Sequence, residues 1–335
     1  MKAFFDGTAV RCGNDGKALY DQGGYGRREK DGLRLAPHEA LYLVYRRKIT
    51  VEGHDFDSLF SVFAGQSNVL RSFLVYRDIR ERGYAVQTGP HDFRVFRRGQ
   101  RPGKGESLYL VRVVSERDPI LFENLIREVR TAHNLRKLYV LAVVDDDDEL
   151  TYYEVKLPNL PDPAIPDRYP NVTGVPAGKS VLIRMPPGSA FEKSWLGSRL
   201  DESRMLLSLL ESDYLKKAGA LAVMDGTVQV TEKEIFSRAC ESDSEFPHKA
   251  AVYGDLRHRG YIPKTGYKFG HHFRVYSGQK AHSEMLVHAV QQEDGLPMST
   301  ISRSVRLAHS VKKKMLFGTV RTSGIQYIEF ARIKL

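Results

Sequence analysis

The chain is poor in cysteine, in tryptophan and in long apolar runs. Cys12 and Cys240 are its only cysteines, too few for a disulfide framework or a thiolate metal site, so a reducing compartment is the simpler expectation. No stretch approaches the ~20 consecutive apolar residues of a membrane helix. The opening Met1-Lys2-Ala3-Phe4-Phe5-Asp6 reaches a carboxylate before a signal-peptide core could form. These absences predict a cytoplasmic protein with no membrane partner. What is present is ordinary for a folded chain: 335 residues, 41% hydrophobic and 27% charged, which excludes collagen, coiled coil and wholesale disorder. At ~150 residues per domain the length suggests about two domains. Lys and Arg number 51 against 41 Asp and Glu, leaving +10. Such a surplus suits a polyanionic partner such as nucleic acid, though a merely soluble basic surface gives the same count.

Two segments read alike. Tyr76-Arg77-Asp78-Ile79-Arg80-Glu81-Arg82-Gly83-Tyr84 returns as Tyr253-Gly254-Asp255-Leu256-Arg257-His258-Arg259-Gly260-Tyr261. Phe93-Arg94-Val95-Phe96 returns as Phe273-Arg274-Val275-Tyr276, and Arg130 to Lys137 as Arg306 to Lys313. The offset is 177 at Gly83/Gly260, 180 at Phe93/Phe273 and 176 from Ser107/Ser283 onward, a drift that small loop insertions explain. A weaker echo pairs Gly26 with Gly197, and the helix-like Glu39-Ala40-Leu41-Tyr42-Leu43 with Ser203-Arg204-Met205-Leu206-Leu207. Self-similarity of this kind sets the architecture. The fold expected is α/β, a tandem duplication of a two-part unit in which a small helical and strand N-terminal subdomain precedes a mixed sheet with flanking helices.

The expected boundaries are 1–72 and 73–157 for the two parts of the first repeat, a proline-rich linker over 158–177, and 178–246 and 247–335 for the second. Pro158, Pro161, Pro163, Pro166 and Pro170 forbid helix and central strand there, because proline lacks an N–H and fixes φ. Phe273 and Val275 alternate with Arg274 and Tyr276 as in a strand. Ile301, Val305, Ala308 and Val311 follow helical spacing, predicting a helix over 299–314 capped by Ser299, with Lys312, Lys313 and Lys314 in its last turn. A terminal hairpin turning at Thr322-Ser323-Gly324 is expected after it.

The copies differ where chemistry would sit. The second has Tyr276, His282 and Lys313; the first has Phe96, Glu106 and Lys137. Losing a phenol and an imidazole while keeping the flanking patterns is what a degenerate partner of an active unit would show. A Tyr, a His and a Lys can act on an RNA phosphodiester without a metal, since RNA carries its own 2′-hydroxyl nucleophile and needs proton handling and charge stabilisation. Histidine changes charge near neutrality, so His282 suits the acid that protonates the leaving 5′-oxygen. Tyr276 would accept the 2′-hydroxyl proton with help from nearby cations, and Lys313 would face the non-bridging oxygens. Taken singly, each has a plain structural reading: a packing tyrosine, a surface histidine, a solvated lysine.

These residues resemble the archaeal tRNA-splicing endonucleases of the homodimeric, two-repeat type. The resemblance covers essentially the whole chain and is carried by Arg259-Gly260-Tyr261, Lys264-Thr265-Gly266-Tyr267-Lys268-Phe269-Gly270, Phe273-Arg274-Val275-Tyr276, His282-Ser283 and Arg306-Leu307-Ala308-His309-Ser310-Val311-Lys312-Lys313. It implies nuclease-like sheets, a degenerate one in 73–157 and a catalytic one in 247–335, with Tyr276, His282 and Lys313 as the catalytic set. It implies metal-independent cleavage of precursor tRNA at bulge–helix–bulge intron boundaries, leaving 2′,3′-cyclic phosphate and 5′-hydroxyl ends. Shape is read rather than sequence, as suits bulged bases that can be splayed and stacked. Arg306 matches the family's base-clamping arginine, and Arg332 is assigned to the second. The acidic run Asp145-Asp146-Asp147-Asp148-Glu149 falls where the family's non-catalytic repeat docks into a partner's catalytic repeat, which implies a homodimer. The plain alternative for that run is a solvated turn. The terminal strand over 325–335 is expected to supply most of the dimer interface.

Other signals are set aside. Gly174-Val175-Pro176-Ala177-Gly178-Lys179-Ser180 has one residue too few for a phosphate loop and follows the proline linker rather than a strand. His271, His272 and His282 are not expected to meet on one ion, because adjacent strand residues face opposite ways. No cofactor or metal is therefore expected. Two rival functions remain: a non-catalytic RNA-binding structural subunit of such an endonuclease, and a metal-dependent nuclease.

Overall fold

The computed structural model describes residues 1–65, 68–164, 168–291, 295–322 and 324–335. Pro166 of the linker and Ser323 of the C-terminal turn lie outside the described residues. The chain forms two compact units, one of Met1–Leu157 with Gly295–Val305 and Phe330–Leu335, the other of Pro158–Asp294 with Arg306–Glu329. Among the described residues no helix is long and apolar enough to cross a membrane.

In the first unit a small sheet runs Arg27–Glu29, Gly32–Leu35, Val10–Cys12, Lys2–Phe5, Thr50–Val51, with helix Pro37–Tyr45 following its second hairpin. Helices Phe56–Ala64 and Val69–Glu81 lead into strands Val86–Thr88, Phe93–Phe96, Ser107–Ser115, Leu138–Val144 and Leu150–Lys156, adjacent in that order. Ser107–Ser115 and Leu138–Val144 are parallel, so a crossover must join them, and helix Phe122–Asn134 is that crossover. The second unit repeats the plan. A six-stranded sheet carries helix Leu209–Lys217, then Phe246–His258 leads into Tyr261–Thr265, Phe273–Ser277, Met285–Gln291, Lys314–Arg321 and Gly324–Ile333. The α/β, twice-used two-part unit expected from the sequence is thus the architecture found. Each unit has its own apolar core: Leu35, Leu41, Val95, Val111 and Val140 are fully buried in one, Leu207, Val275, Val287 and Leu316 in the other. Each such side chain contributes about 1.5–3 kcal/mol of burial.

The duplication extends to the buried polar groups. Gly26 and Gly197 have φ of 67° and 69°, and a Cβ would lie 2.6 Å from the Arg34 carbonyl oxygen or 3.0 Å from that of Leu206, so only glycine fits. Their N–H groups donate to Glu39 Oε1 at 2.9 Å and Glu211 Oε1 at 3.0 Å. The same carboxylates cap their helices through Ala36 N–H and Ser208 N–H, both at 2.9 Å. Tyr152 donates to Asp78 at 2.7 Å and Tyr327 to Asp255 at 2.8 Å, each beside an arginine, Arg82 or Arg259, on the same carboxylate. One difference matters for stability. Burial pushes the Glu39 carboxyl up. It does the same to Glu211, but Lys264 at 2.9 Å, with the Ser208 and Gly197 N–H groups, outweighs burial and holds Glu211 below the usual carboxylate range.

Several local expectations are corrected. Ser203 to Leu207 is not the counterpart of the Glu39 helix: Arg204–Ser208 is a strand, with Met205 and Leu207 buried and Arg204 exposed. The matching helix is Leu209–Lys217, started by the Ser208/Glu211 capping box. The helix expected over 299–314 is Met298–Ser310. Met298 and Ser299 donate backbone N–H groups to the carbonyls of Asp118 and Glu116, so Ser299 lies inside the helix and is not its cap. Lys312 turns left-handed at φ 55° and Lys314 already begins the next strand. Val172–Ala177, inside the stretch assigned to the linker, is a strand pairing with Ser180–Arg184. The phosphate-loop-like run is therefore a β-hairpin. Within the terminal strand, Tyr327 packs in the core of the second unit.

Candidate active site

Three neighbouring strands of the second unit bring the candidate catalytic residues to one edge of the sheet. Phe273–Ser277 runs antiparallel to Met285–Gln291, ending the ladder at Val275↔Met285, and Met285–Gln291 runs parallel to Lys314–Arg321 from Met285↔Lys314. The C-terminal end of the first strand and the N-terminal ends of the other two therefore coincide. Tyr276 stands at that end, His282 just before Met285, and Lys313 just before Lys314. Cross-strand bonds tie the edge together: Glu284 N–H donates to Val275 O at 2.9 Å and Lys314 N–H to Glu284 O at 3.0 Å.

Next to this edge is an open depression of about 1050 Å³ lined by Lys280, His282, His309, Lys312, Lys313 and Lys314, among others. His282 and Lys313 are thus in one cavity, His282 exposed at its wall. The Lys313 ammonium donates to the Ser283 carbonyl at 2.6 Å and lies 5.9 Å from the Phe269 ring. Four lysines around one concavity make a site for an anion. Tyr276 does not line it; its ring is 7% exposed and packs on Trp195, 5.1 Å away, and near the Arg274 guanidinium.

The repeat settles which of three consecutive lysines corresponds to Lys137. Arg136 and Lys312 share the left-handed turn, φ 56° and 55°. Lys137 N–H reaches Ala132 O at 2.9 Å as Lys313 N–H reaches Ala308 O at 2.8 Å. In the first repeat Lys137 pairs with Glu106 at 3.0 Å, so the equivalent place is an ion pair rather than an exposed histidine beside an ammonium.

Arg306 is exposed on helix Met298–Ser310, outside the lining of the depression, and Arg332 is exposed on the terminal strand. The acidic run forms the hairpin turn between Leu138–Val144 and Leu150–Lys156. Asp145 organises it by accepting the N–H groups of Asp147 and Glu149, Asp146 pairs with Arg117, and Asp146, Asp147, Asp148 and Glu149 are exposed.

Sequence reasoning missed Trp195 and one histidine group, and gave Phe269 no role of its own. Phe269, named above only as part of the motif Lys264 to Gly270, belongs to the short turn Tyr267–Phe269, the three-residue insertion that shifts the repeat offset from 177 to 180. Among the described residues, Glu245, His272 and His288 offer ligand atoms within 4.8 Å of one another, a different set from the one weighed above. His271 is buried beside it, 5.9 Å from the His288 ring, and His282 is not part of it. Two contacts fill this group from within. Lys249 lies 3.0 Å from Glu245, and His272 Nδ1 accepts the Ala289 N–H at 3.1 Å. A neutral His272 then carries its proton on Nε2, which faces Glu245 at 3.4 Å as a donor instead of offering a lone pair. Burial and the neighbouring His288 and Lys249 charges hold His272 down to about 3, so the neutral form prevails. The group fits a hydrogen-bonded cluster better than a metal centre.

Comparisons with known proteins agree with this layout. The family described as tRNA intron endonuclease, catalytic C-terminal domain, matches residues 69–152 and again 246–327. The family described as tRNA intron endonuclease, N-terminal domain, matches residues 1–60. The chain is 39% identical over 332 residues, 95% of each chain, to a tRNA-splicing endonuclease of Methanococcoides burtonii. It is 37% identical over 351 residues, 100% of each, to one of Methanosarcina acetivorans, and 34% identical over 352 residues, 99% of each, to one of Natronomonas pharaonis. With a catalytic-domain match on both repeats and relatives aligned from end to end, the chain belongs to the tRNA intron endonuclease family.

Proposed function

We propose that this enzyme, which as a family member cleaves tRNA introns, does so without a metal at bulge–helix–bulge boundaries, using Tyr276, His282 and Lys313 of the second repeat. In this reading the 2′-hydroxyl oxygen attacks the adjacent phosphorus and the bond from phosphorus to the 5′-oxygen breaks. Tyr276 takes the 2′-hydroxyl proton and His282 gives a proton to the leaving oxygen. Lys313 stabilises the charge that builds on the non-bridging oxygens. The products are a 2′,3′-cyclic phosphate and a 5′-hydroxyl. The observation that carries the reading is the meeting of three strand ends at one sheet edge beside a lysine-rich depression, against an ion pair in the sister repeat. Residues 73–157 then serve as scaffold and 247–335 as the nuclease.

Arg306 and Arg332 are the candidates for clamping a bulged base. The exposed hairpin over 145–149, ordered by Asp145, is the candidate for joining two chains into a homodimer, where charge complementarity sets orientation and association rate more than affinity. A cytoplasmic location fits such a substrate.

The test uses purified protein, a bulge–helix–bulge RNA and excess EDTA. Cleavage should continue, yield cyclic phosphate and 5′-hydroxyl ends, and stop when the scissile nucleotide is 2′-deoxy. Cleavage that EDTA abolishes, or that the 2′-deoxy RNA permits, supports the metal-dependent rival.

A further inference from the structure

We propose that Trp195 is a positioning residue for the Tyr276 phenol, built into the catalytic repeat where the first repeat carries glycine; this rests on the reading of Tyr276 as the proton acceptor. Trp195 is the only tryptophan in the chain and has φ of 55°, in the left-handed region. Its counterpart is Gly24, at φ 66°, two residues before Gly26 as Trp195 is two before Gly197. Both sit just after a helix, Lys17–Gly23 or Ala190–Lys193, where glycine is the favoured residue because a Cβ disfavours this backbone.

The bracket holding this turn is the same in both repeats. Arg80 donates to the carbonyls of Gly23 at 2.7 Å and Gly24 at 3.5 Å. Arg257 donates to those of Ser194 at 2.9 Å and Trp195 at 3.4 Å. The side chain so held differs, hydrogen in one repeat and indole in the other. A large residue held where glycine suits better is an outlier that calls for a function, and the indole gives one: its ring lies 5.1 Å from the Tyr276 ring, tilted by 58°. The Gln279 amide, in the loop that leads to His282, donates to the carbonyl of Lys193, two residues before the indole. The 193–195 segment therefore touches both the strand end that carries Tyr276 and the loop that carries His282. The first repeat lacks both partners of the ring pair, having Gly24 and Phe96. A phenol on the penultimate residue of a five-residue strand needs a wall to fix its rotamer, and small misplacement of a reacting group is costly in rate.

The test compares Trp195→Gly, Trp195→Phe and Tyr276→Phe in the full chain, by single-turnover cleavage of a bulge–helix–bulge RNA and by RNA affinity. Trp195→Gly, which adopts the left-handed turn freely, should lose about 30-fold in the cleavage step with affinity held within about twofold. Trp195→Phe should restore the rate to within about threefold of wild type. A Trp195→Gly enzyme that cuts at the wild-type rate, or one that loses affinity alone, overturns the proposal. Tyr276→Phe separates the two readings: if it cuts normally, the catalytic assignment itself fails, whereas an inactive Tyr276→Phe beside a fully active Trp195→Gly refutes positioning only. Because the chain has a single indole, its fluorescence gives a readout that does not depend on how Trp195→Gly folds. Tyr276→Phe should change the emission, and an unchanged spectrum contradicts the contact.

Discussion

Lys137 Nζ lies 3.0 Å from the Glu106 carboxylate, and this pair occupies the places that the second repeat gives to Lys313 and His282. Hydrogen bonding to Lys137 and its charge hold Glu106 below the usual carboxylate range, yet Glu106 is 90% exposed, where an ion pair adds little. On the proposed reading the pair is a retired site, in which the lysine stays and its partner neutralises it. Lys137→Ala and Glu106→Ala should leave single-turnover cleavage within about twofold of wild type. A loss of tenfold or more in either would give the first repeat a catalytic part.

Lys264 decides the charge state of a buried carboxylate, so Lys264→Met should destabilise the second unit. Glu211 is 8% exposed and Lys264 21%, and breaking such a pair costs about 2–3 kcal/mol at pH 7, somewhat less than for a fully buried one. Wild-type Glu211 has a lowered folded-state pKa, so its stabilisation is present above the unfolded carboxyl pKa and fades as pH falls through the folded value. In the variant Glu211 is left like Glu39, whose pKa burial raises, and protonation relieves it in acid. The difference between the two proteins in urea unfolding should shrink as pH falls from the variant's raised carboxyl value through the wild type's lowered one. A difference that grows in acid contradicts this account.

The twin tyrosines should behave as twins. Tyr152→Phe and Tyr327→Phe each remove one hydrogen bond to a carboxylate that also holds an arginine, at a cost of roughly 1.5 kcal/mol each. Unequal costs, read by chemical denaturation, would show that the two cores are not equivalent supports.

His272 Nδ1 accepts Ala289 N–H as Asp92 Oδ2 accepts Val113 N–H at 2.7 Å in the first repeat. His272→Asn keeps an acceptor and should be tolerated, whereas His272→Ala strands the N–H and should cost roughly 1–3 kcal/mol. Zinc or EDTA should each move the unfolding midpoint of the wild-type chain by less than about 1 °C, since a tightly bound ion would stabilise the fold. A zinc shift of several degrees that His288→Ala removes would make the cluster a metal site after all.

Much of this was legible in the sequence, for a physical reason: duplication repeats the polar anchors along with the core. Asp78/Asp255 and Arg80/Arg257 were visible as matching letters, and the divergence at Phe96/Tyr276 and Glu106/His282 marked the candidate site. The helix end was misplaced because Lys312 looks like any last-turn cation until its left-handed backbone is seen. The Glu39 counterpart was misaligned because a short apolar run reads as helix or strand alike; the Ser208/Glu211 capping box held the answer. Trp195 and the Glu245, His272 and His288 group left no signal, since tertiary packing brings their members together from distant segments.

The single-turnover rate of His282→Ala on a bulge–helix–bulge RNA in EDTA, measured beside wild type, decides whether this imidazole takes part in cleavage. The rate should fall at least about 10²-fold with folding and RNA affinity retained. A His282→Ala protein that cuts within about threefold of wild type would contradict that role.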